Sequence, residues 1–329
     1  MSEPQISTDV AVMKPQELDS TNQPDANLPL LAVRSFGLTH VGKVRKSNED
    51  QFLIATLLKA LQVERTSIPQ PRVQHSSDRS YLFLVADGIG GSAGGEQASA
   101  LAIDSVETFV LEAFKWFAQF KGKEPDHVLA DFQNALGQAN ARVLAEAAAR
   151  PGLSNMGTTL TLAYSLNDVL FVAHVGDSRC YLLRNRALYR LTRDHTLVEE
   201  MVRHGVLSVE EAARHQWRHM VTNAIGGASA QITVEVHKLQ LETGDTVLLC
   251  SDGLTEMVAE DEIAQTLQDQ ADPEQACKHL VARANERGGK DNITVVIAQF
   301  CATSQPDVQA YSRVSLEERS GSTIPVATS

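Results

Sequence analysis

The chain has 329 residues, 43% of them hydrophobic, with a formal net charge of −12 and a pI near 5.3. So acidic a surface argues against nucleic acid and anionic membrane as primary partners. It also offers a phosphorylated substrate no general attraction, so any phosphate site needs local positive charge.

Residues 1–33 are polar, rich in proline and without periodicity, and read as a disordered arm. Their start, "MSEPQISTDVAVMKPQELDS", lacks the basic stretch and apolar core of a signal peptide. Strands follow at Phe36–His40, Asp50–Thr56 and Tyr81–Ala86, the last two parted by a long hairpin insertion over residues 60–79. Helical spacing of apolar residues marks Glu96–Phe120 and Asp126–Ala149. Strands then bunch at Thr158–Tyr164, Val169–Val175 and Ser178–Arg184, with "SLND" (165–168) and "RNRA" (184–187) as hairpin turns. Short helices fit 196–205 and 208–214, strands Ile232–Val236 and Thr246–Cys250, helices 260–270 and 273–287, and a final strand Ile293–Phe300. Residues 303–329 read as a second disordered tail, leaving 34–302 as one body. Strands bunch and helices come in pairs, so βαβ alternation fails. The pattern implies an α+β fold, a mostly antiparallel sheet system covered by helix pairs. No apolar run approaches the roughly 18 residues of a membrane helix, and the expected location is the cytoplasm.

One arrangement repeats. In "YLFLVADGIGG" an apolar strand delivers Asp87 into a glycine-rich turn, and "TVLLCSDGLTEMV" does the same with Asp252. "LFVAHVGDSRCYLL" sets Asp177 at a tight turn between apolar runs, and "GGKDNITVVIAQF" sets Asp291 before a strand. "GKVRKSNEDQFL" adds Glu49 and Asp50 where another strand begins. Each Asp-Gly alone is an ordinary turn. As a set they hold carboxylates rigidly on strand tips, and convergent tips would crowd like charges unless a cation neutralised them. Oxygen ligands without Cys or His favour hard ions, Mg²⁺ or Mn²⁺. Arg45, five residues before Asp50, suits a phosphate clamp or, equally, a solvated basic loop with Lys43 and Lys46.

Rival motifs fare worse. "GIGGSA" (88–93) matches a dinucleotide turn, but the acid needed about 20 residues on falls within a helix rather than on a strand tip. "CYLLRNR" (180–186) has the bare spacing of a cysteine phosphatase, yet its middle reads as a strand. "HQWRH" (215–219) lacks the glutamate of HExxH, and "GGK" (288–290) is followed by Asp291 rather than Ser or Thr. His174 and His195 read as structural. The four cysteines, Cys180, Cys250, Cys277 and Cys301, form no CxxC pair and imply neither disulfides nor zinc.

With these motifs in order, "VRKSNED", "VADGIGGSAGGEQAS", "MGTTLT", "VAHVGDSRCYLL", "LTRDHTLVEEM", "SDGLTEMV" and "GGKDNITVV", the chain resembles the metal-dependent type 2C serine/threonine protein phosphatases, in their bacterial form, over roughly residues 36–301. The resemblance implies two central antiparallel sheets flanked by helix pairs, an α-β-β-α sandwich with a metal centre at one end. Asp87 would bridge two Mn²⁺ or Mg²⁺ ions, Asp252 and Asp291 would ligate one, and the Gly88 carbonyl the other. Glu49 or Asp50 would hold waters, Asp177 with Asp252 would form a weaker third site, and Arg45 would grip the phosphate. Residues 193–227 would form a flap over the entrance. The implied activity is hydrolysis of phosphoserine and phosphothreonine by a metal-bridging hydroxide, on proteins phosphorylated by a serine/threonine kinase, by a monomer. The alternatives are an inactive binding module of the same fold and a dinucleotide oxidoreductase. The histidine that relatives use as general acid is replaced: Ile89 follows Asp87-Gly88, and Ser92 follows the Gly-Gly pair. That leaves the proton donor open between a metal-bound water and a flap residue such as His195.

Overall fold

The computed structural model describes residues 31–62, 65, 73–90, 92–117, 125–227 and 231–302. Two five-stranded sheets are stacked face to face. The first is ordered β1 (Leu31–His40), β13 (Ile293–Ala302), β12 (Thr246–Cys250), β8 (Arg179–Arg184) and β9 (Ala187–Arg190). The second is ordered β11 (Glu235–Gln240), β7 (Val169–Val175), β6 (Leu160–Leu166), β3 (Val73–Ala86) and β2 (Gln51–Gln62). A small third sheet joins β10 (Ile225–Gly226), β5 (Gly157–Thr158) and β4 (Gly88–Ile89). Every one of these pairings is antiparallel. The expected α+β sandwich is therefore present, and a parallel dinucleotide fold is excluded.

Strand alternation builds the layers. Along β3, Leu82, Leu84 and Ala86 face α1 (Ser92–Phe117) and α2 (Pro125–Ala149), while Phe83 and Val85 face the other sheet. Along β13, Val295 and Ile297 face α7 (Pro273–Glu286) and α6 (Glu260–Asp269), while Val296, Ala298 and Phe300 point inward. A period of two thus splits one apolar run between two cores. Between the sheets lie Phe83, Val172, Leu182, Leu249 and Phe300, all almost wholly excluded from water.

Several boundaries differ from expectation. Leu31–Val33, assigned above to the arm, extend β1 by pairing with Phe300–Ala302. Strands β2 and β3 continue through Gln62↔Val73, so the insertion is in part an extended hairpin. The strand expected at Ile232–Val236 runs instead from Glu235 to Gln240. "ITVEVHKLQL" alternates up to Val236 and shifts phase at His237-Lys238, and pairing with β7 decides where the strand lies. The strand expected at Thr158–Tyr164 breaks at Thr159, and β9 and the one-turn α5 (Asp252–Thr255) were not anticipated. Both hairpin turns are as expected: Asn167 (φ 55°), Asn185 (φ 51°) and Arg186 (φ 66°) adopt the left-handed backbone that tight hairpins need. Residues 1–30 and 303–329, the rest of the expected arm and tail, and residues 118–120 of the expected first helix lie outside the described residues. No helix among the described residues is long and apolar enough to cross a membrane.

Phe83 fills the space between the sheets without water contact. Phe83→Ala should cost about 3–5 kcal/mol, whereas Leu111→Ala, on an exposed helix face, should stay within about 0.5 kcal/mol. Urea denaturation of both variants measures the difference.

Candidate metal centre

The strand tips converge at one end of the sandwich. Asp50 precedes β2 and Asp87 follows β3, strands paired Gln51↔Ala86 at that end. Asp252 follows β12 and Asp291 precedes β13, strands paired in the opposite sheet. Asp177 lies in the turn that leads from β7 in one sheet to β8 in the other. Carboxylates up to 241 residues apart in the chain, Asp50 and Asp291, are thereby close enough to perturb one another.

Polar side chains at or just beyond the ends of apolar strands hold the cluster. The backbone of Asp87 is gripped by Thr158 and Thr159: Thr159 N–H and Thr158 Oγ1 donate to the Asp87 carbonyl at 2.9 and 2.8 Å. Asp87 N–H donates to Thr159 Oγ1 at 3.0 Å. That exchange explains why the strand breaks at Thr159. Asp50 is buried, and its Oδ2 accepts from Ser251 Oγ and Thr294 Oγ1, each at 2.7 Å. Asn292 ties the Arg45 loop to the Asp291 turn. Its Nδ2 donates to the carbonyls of Val41 (3.0 Å) and Ser47 (2.9 Å), and its Oδ1 accepts from Glu49 N–H (2.8 Å). Thr158, Thr159, Ser251, Asn292 and Thr294 were missed as functional residues. The available signal was a hydroxyl or amide at or beside the end of an otherwise apolar strand.

The electrostatics are strained. Burial, then the charges of Asp50, Asp252, Asp177 and Asp291, hold the Asp87 carboxyl well above the usual carboxylate range. Burial, then Asp177, Glu256, Asp291 and Asp50, do the same to Asp252. Burial pushes Asp50 up to about 6 despite its two hydroxyl donors. Asp177 is pushed up to about 7, by burial first and then by Asp194. The Oδ1 atoms of Asp50 and Asp252 are buried and accept no hydrogen bond. Orphaned carboxylate oxygens among mutually repelling carboxylates, with all-oxygen chemistry, fit hard divalent cations such as Mn²⁺ or Mg²⁺.

The remaining candidates separate. Gly88 packs backbone to backbone against Gly95 and the Glu49 carbonyl, an approach that a Cβ at Gly88 would block. The Glu49 carboxylate lies beside Gly95 in the first turn of α1, whereas Asp50 faces Asp87. Of the pair left open by the sequence, Asp50 faces Asp87, and Glu49 feels the charges of Arg45 and Asp291. Arg45 is exposed and pairs with Asp291 at 2.6 Å, so its fork already holds an oxyanion at the cluster's edge.

His174 and His195 are structural, as expected. His174 Nε2 donates to the carbonyls of Gly176 (3.0 Å) and Arg193 (2.9 Å), and Nδ1 meets Thr161 Oγ1 at 2.9 Å. Burial foremost pushes it down to about 4, keeping it neutral. His195 Nδ1 accepts from Gly176 N–H, so His195 is not free as a proton donor through that atom. Instead His219, from the expected flap, reaches the Glu256 carboxylate beside Asp252. The spacing of "HQWRH" gave no sign of this, because the contact is with another element. Cys180 is buried in β8 with its thiol pushed far above its ordinary range, which removes the cysteine-phosphatase reading.

Crowding sets a sign for stability. Carboxyls whose folded pKa is raised contribute stability that is complete below about 3.9 and lost as pH rises through the folded values, here about 6 for Asp50 and about 7 for Asp177. His174 and His195, both shifted down chiefly by burial, oppose this, but two imidazoles stand against the four cluster carboxyls. In chelator, melting temperature should therefore fall from pH 5.5 to 7.5 by about 3 °C or more. Asp252→Asn should raise it at pH 7.5 and blunt the further rise on adding Mn²⁺. A chelated variant less stable than the parent would refute the crowding.

The comparisons agree with this geometry. The family model described as protein phosphatase 2C matches residues 70–291. The chain is 34% identical over 227 residues to the serine/threonine phosphatase stp of Listeria monocytogenes, covering 69% of this chain and 87% of that one. It resembles the crystal structure of the Mycobacterium tuberculosis serine/threonine phosphatase PstP/Ppp, with TM-score 0.65 and 30% identity over 82% of this chain and 99% of that one. A structure of the PstP catalytic domain in complex with two manganese ions gives TM-score 0.62 and 30% identity, over 82% and 99% of the two chains. A family match over more than half its length, on an antiparallel sandwich whose strand tips gather carboxylates, shows that this chain belongs to the protein phosphatase 2C family.

Proposed function

We propose that this chain is a metal-dependent phosphatase that hydrolyses phosphoserine and phosphothreonine in proteins. The observation that carries the reading is the gathering of Asp50, Asp87, Asp177, Asp252 and Asp291 at one end of the sandwich, with buried oxygens left unpartnered. Asp87, Asp252 and Asp291, with the Gly88 carbonyl, would hold two Mn²⁺ or Mg²⁺ ions; Asp50 would serve the same pair, and Asp177 with Asp252 a weaker third. Such ions supply a water acidic enough to attack at neutral pH and positive charge for the phosphoryl oxygens.

The chain's own residues do the rest. Arg45, now bonded to a carboxylate, presents two parallel N–H donors that fit phosphoryl oxygens equally well, and so orients the phosphate for in-line attack. Thr158, Thr159, Ser251 and Thr294 hold the Asp87 backbone and the Asp50 side chain in place, so little reorganisation accompanies charge development. His219 is the histidine brought beside Asp252, and its ring would pass a proton to the departing serine or threonine oxygen. The three buried cysteines are all shifted upward, which disfavours a thiolate nucleophile. The substrates fit proteins phosphorylated by a serine/threonine kinase. The acidic surface disfavours nucleic acid and anionic membranes, and the protein would act as a cytoplasmic monomer.

Purified protein should release phosphate from a phosphothreonine peptide with Mn²⁺ and not with chelator; inactivity in both conditions would support the non-catalytic reading. Arg45→Ala should lower kcat/KM by about 10²-fold. His219→Asn should lower kcat on the peptide by about 10²-fold while barely affecting p-nitrophenyl phosphate, whose leaving group needs no proton. Equal losses on both substrates would remove His219 from that role.

A further inference from the structure

Arg45 stands on a loop whose tip is not held by packing. Lys43, Val44, Arg45 and Lys46 are all exposed, and Val44 is 66% accessible to water. Hydrogen bonds fix residues 41–49 instead, and three of them come from one buried amide. Asn292, 5% exposed, donates from Nδ2 to the Val41 carbonyl at 3.0 Å and to the Ser47 carbonyl at 2.9 Å. Its Oδ1 accepts from Glu49 N–H at 2.8 Å. A further tie joins Lys43 N–H to the Gly289 carbonyl at 2.7 Å. The two amide hydrogens thus draw together the two ends of the loop, and Asn is the short side chain that offers a donor pair and an acceptor at once.

The main chain and the side chain of Asn292 face different tasks. Its backbone N–H donates to Asp291 Oδ1 at 2.8 Å, and its carbonyl lies against Gly253, where a Cβ would not fit. Those contacts hold Asp291 and the turn after Asp252 whatever side chain stands at 292. Asp50 also has support of its own. Its N–H donates to Asn48 Oδ1 at 3.2 Å, its Oδ2 accepts from Ser251 and Thr294, and the preceding Glu49 carbonyl accepts from Ser99 Oγ at 2.7 Å. What rests on the carboxamide is the path of residues 41–47, and with it the place where the Arg45 fork is presented, 2.6 Å from Asp291 Oδ2.

We propose that Asn292 is a positioning residue for the phosphate clamp: its carboxamide sets where Arg45 reaches, and so tunes affinity for phosphate without altering affinity for the cations. This rests on the reading of Arg45 as the clamp and deepens it, placing part of the clamp's strength in a residue that acts only through another. Removing the buried donor pair leaves the Val41 and Ser47 carbonyls unpaired, and a loop whose tip has no apolar anchor relieves them by moving. A shift of about 1 Å at the guanidinium is enough to spoil a bidentate contact with phosphate oxygens.

Calorimetric titration of inorganic phosphate into the full-length protein in MgCl₂ tests this without turnover. Asn292→Ala and Asn292→Ser, neither of which can hold Val41 and Ser47 together, should each weaken phosphate binding by about ten-fold. With Arg45→Ala already present, the same changes should weaken it by less than about two-fold, because the effect passes through Arg45. Mn²⁺ affinity, titrated without phosphate, should stay within about two-fold of the parent, where loss of a support for a metal ligand would cost about ten-fold or more. Should Asn292→Ala fail to fold, Asn292→Ser decides. Loss of the fold in both would overturn the proposal, since a carboxamide that serves only the loop is not needed by the sandwich. Losses that add to that of Arg45→Ala, a ten-fold fall in Mn²⁺ affinity, or a parent that binds no phosphate in MgCl₂ would also overturn it. A parent that binds phosphate as expected but leaves a phosphothreonine peptide intact would refute the proposed function alone; an active parent in which the losses add would refute this inference alone.

Discussion

Five carboxylates that repel one another are held together at the end of two stacked sheets, and the rest of the structure follows from the need to hold them. Left to themselves, the five would move apart, and burial first, then neighbouring charges, push Asp50, Asp87, Asp177 and Asp252 above the ordinary carboxylate range. Only a rigid support can keep such a set in one place until cations neutralise it. The support is the dry layer between the sheets, where Phe83, Val172, Leu249 and Phe300 pack with no exposure to water.

That layer depends on strict alternation. Strands β3 and β13 are apolar on both faces, so each contributes to a helix-covered core and to the central one. A slip of one residue would exchange the two faces and turn the tip carboxylate away from its partners. Register is thus a functional requirement as well as a structural one. The polar residues at the strand ends belong to the same scheme: Thr159 accepts from the Asp87 backbone, Ser251 and Thr294 donate to Asp50 Oδ2, and the Oδ1 atoms of Asp50 and Asp252 are left without a hydrogen bond.

Residues 193–227, the expected flap, meet this arrangement through two histidines in different surroundings. His195 sits at its base among backbone donors, bound to the Asp177 turn. His219 lies near its far end and meets Glu256 across the gap. Where relatives place a histidine beside the first Asp-Gly, this chain has Ile89 and Ser92. The only histidine that the described structure sets beside a cluster carboxylate therefore comes from the flap.

Much of this was legible in the residues alone. Period-two runs ending in Asp-Gly identified the strands and the tip carboxylates, because alternation and turn chemistry are local properties. Helix spans were legible for the same reason, as were the Asn167 and Asn185 turns. The different surroundings of Glu49 and Asp50 were not, since adjacent residues differ only in which neighbour they meet once folded. The extent of β11 was hidden too, because the alternation shifts phase at His237-Lys238 within it and its partner β7 sets the limits. His219 and the supporting hydroxyls escaped notice because their roles lie in contacts with distant segments: Glu256 for one, Asp50 and Asp87 for the others. The linear chain determined which groups could carry the chemistry, through periodicity and composition. Tertiary packing alone decided which of them share a space, since repulsion, burial and hydrogen bonding act through distance and not through sequence position.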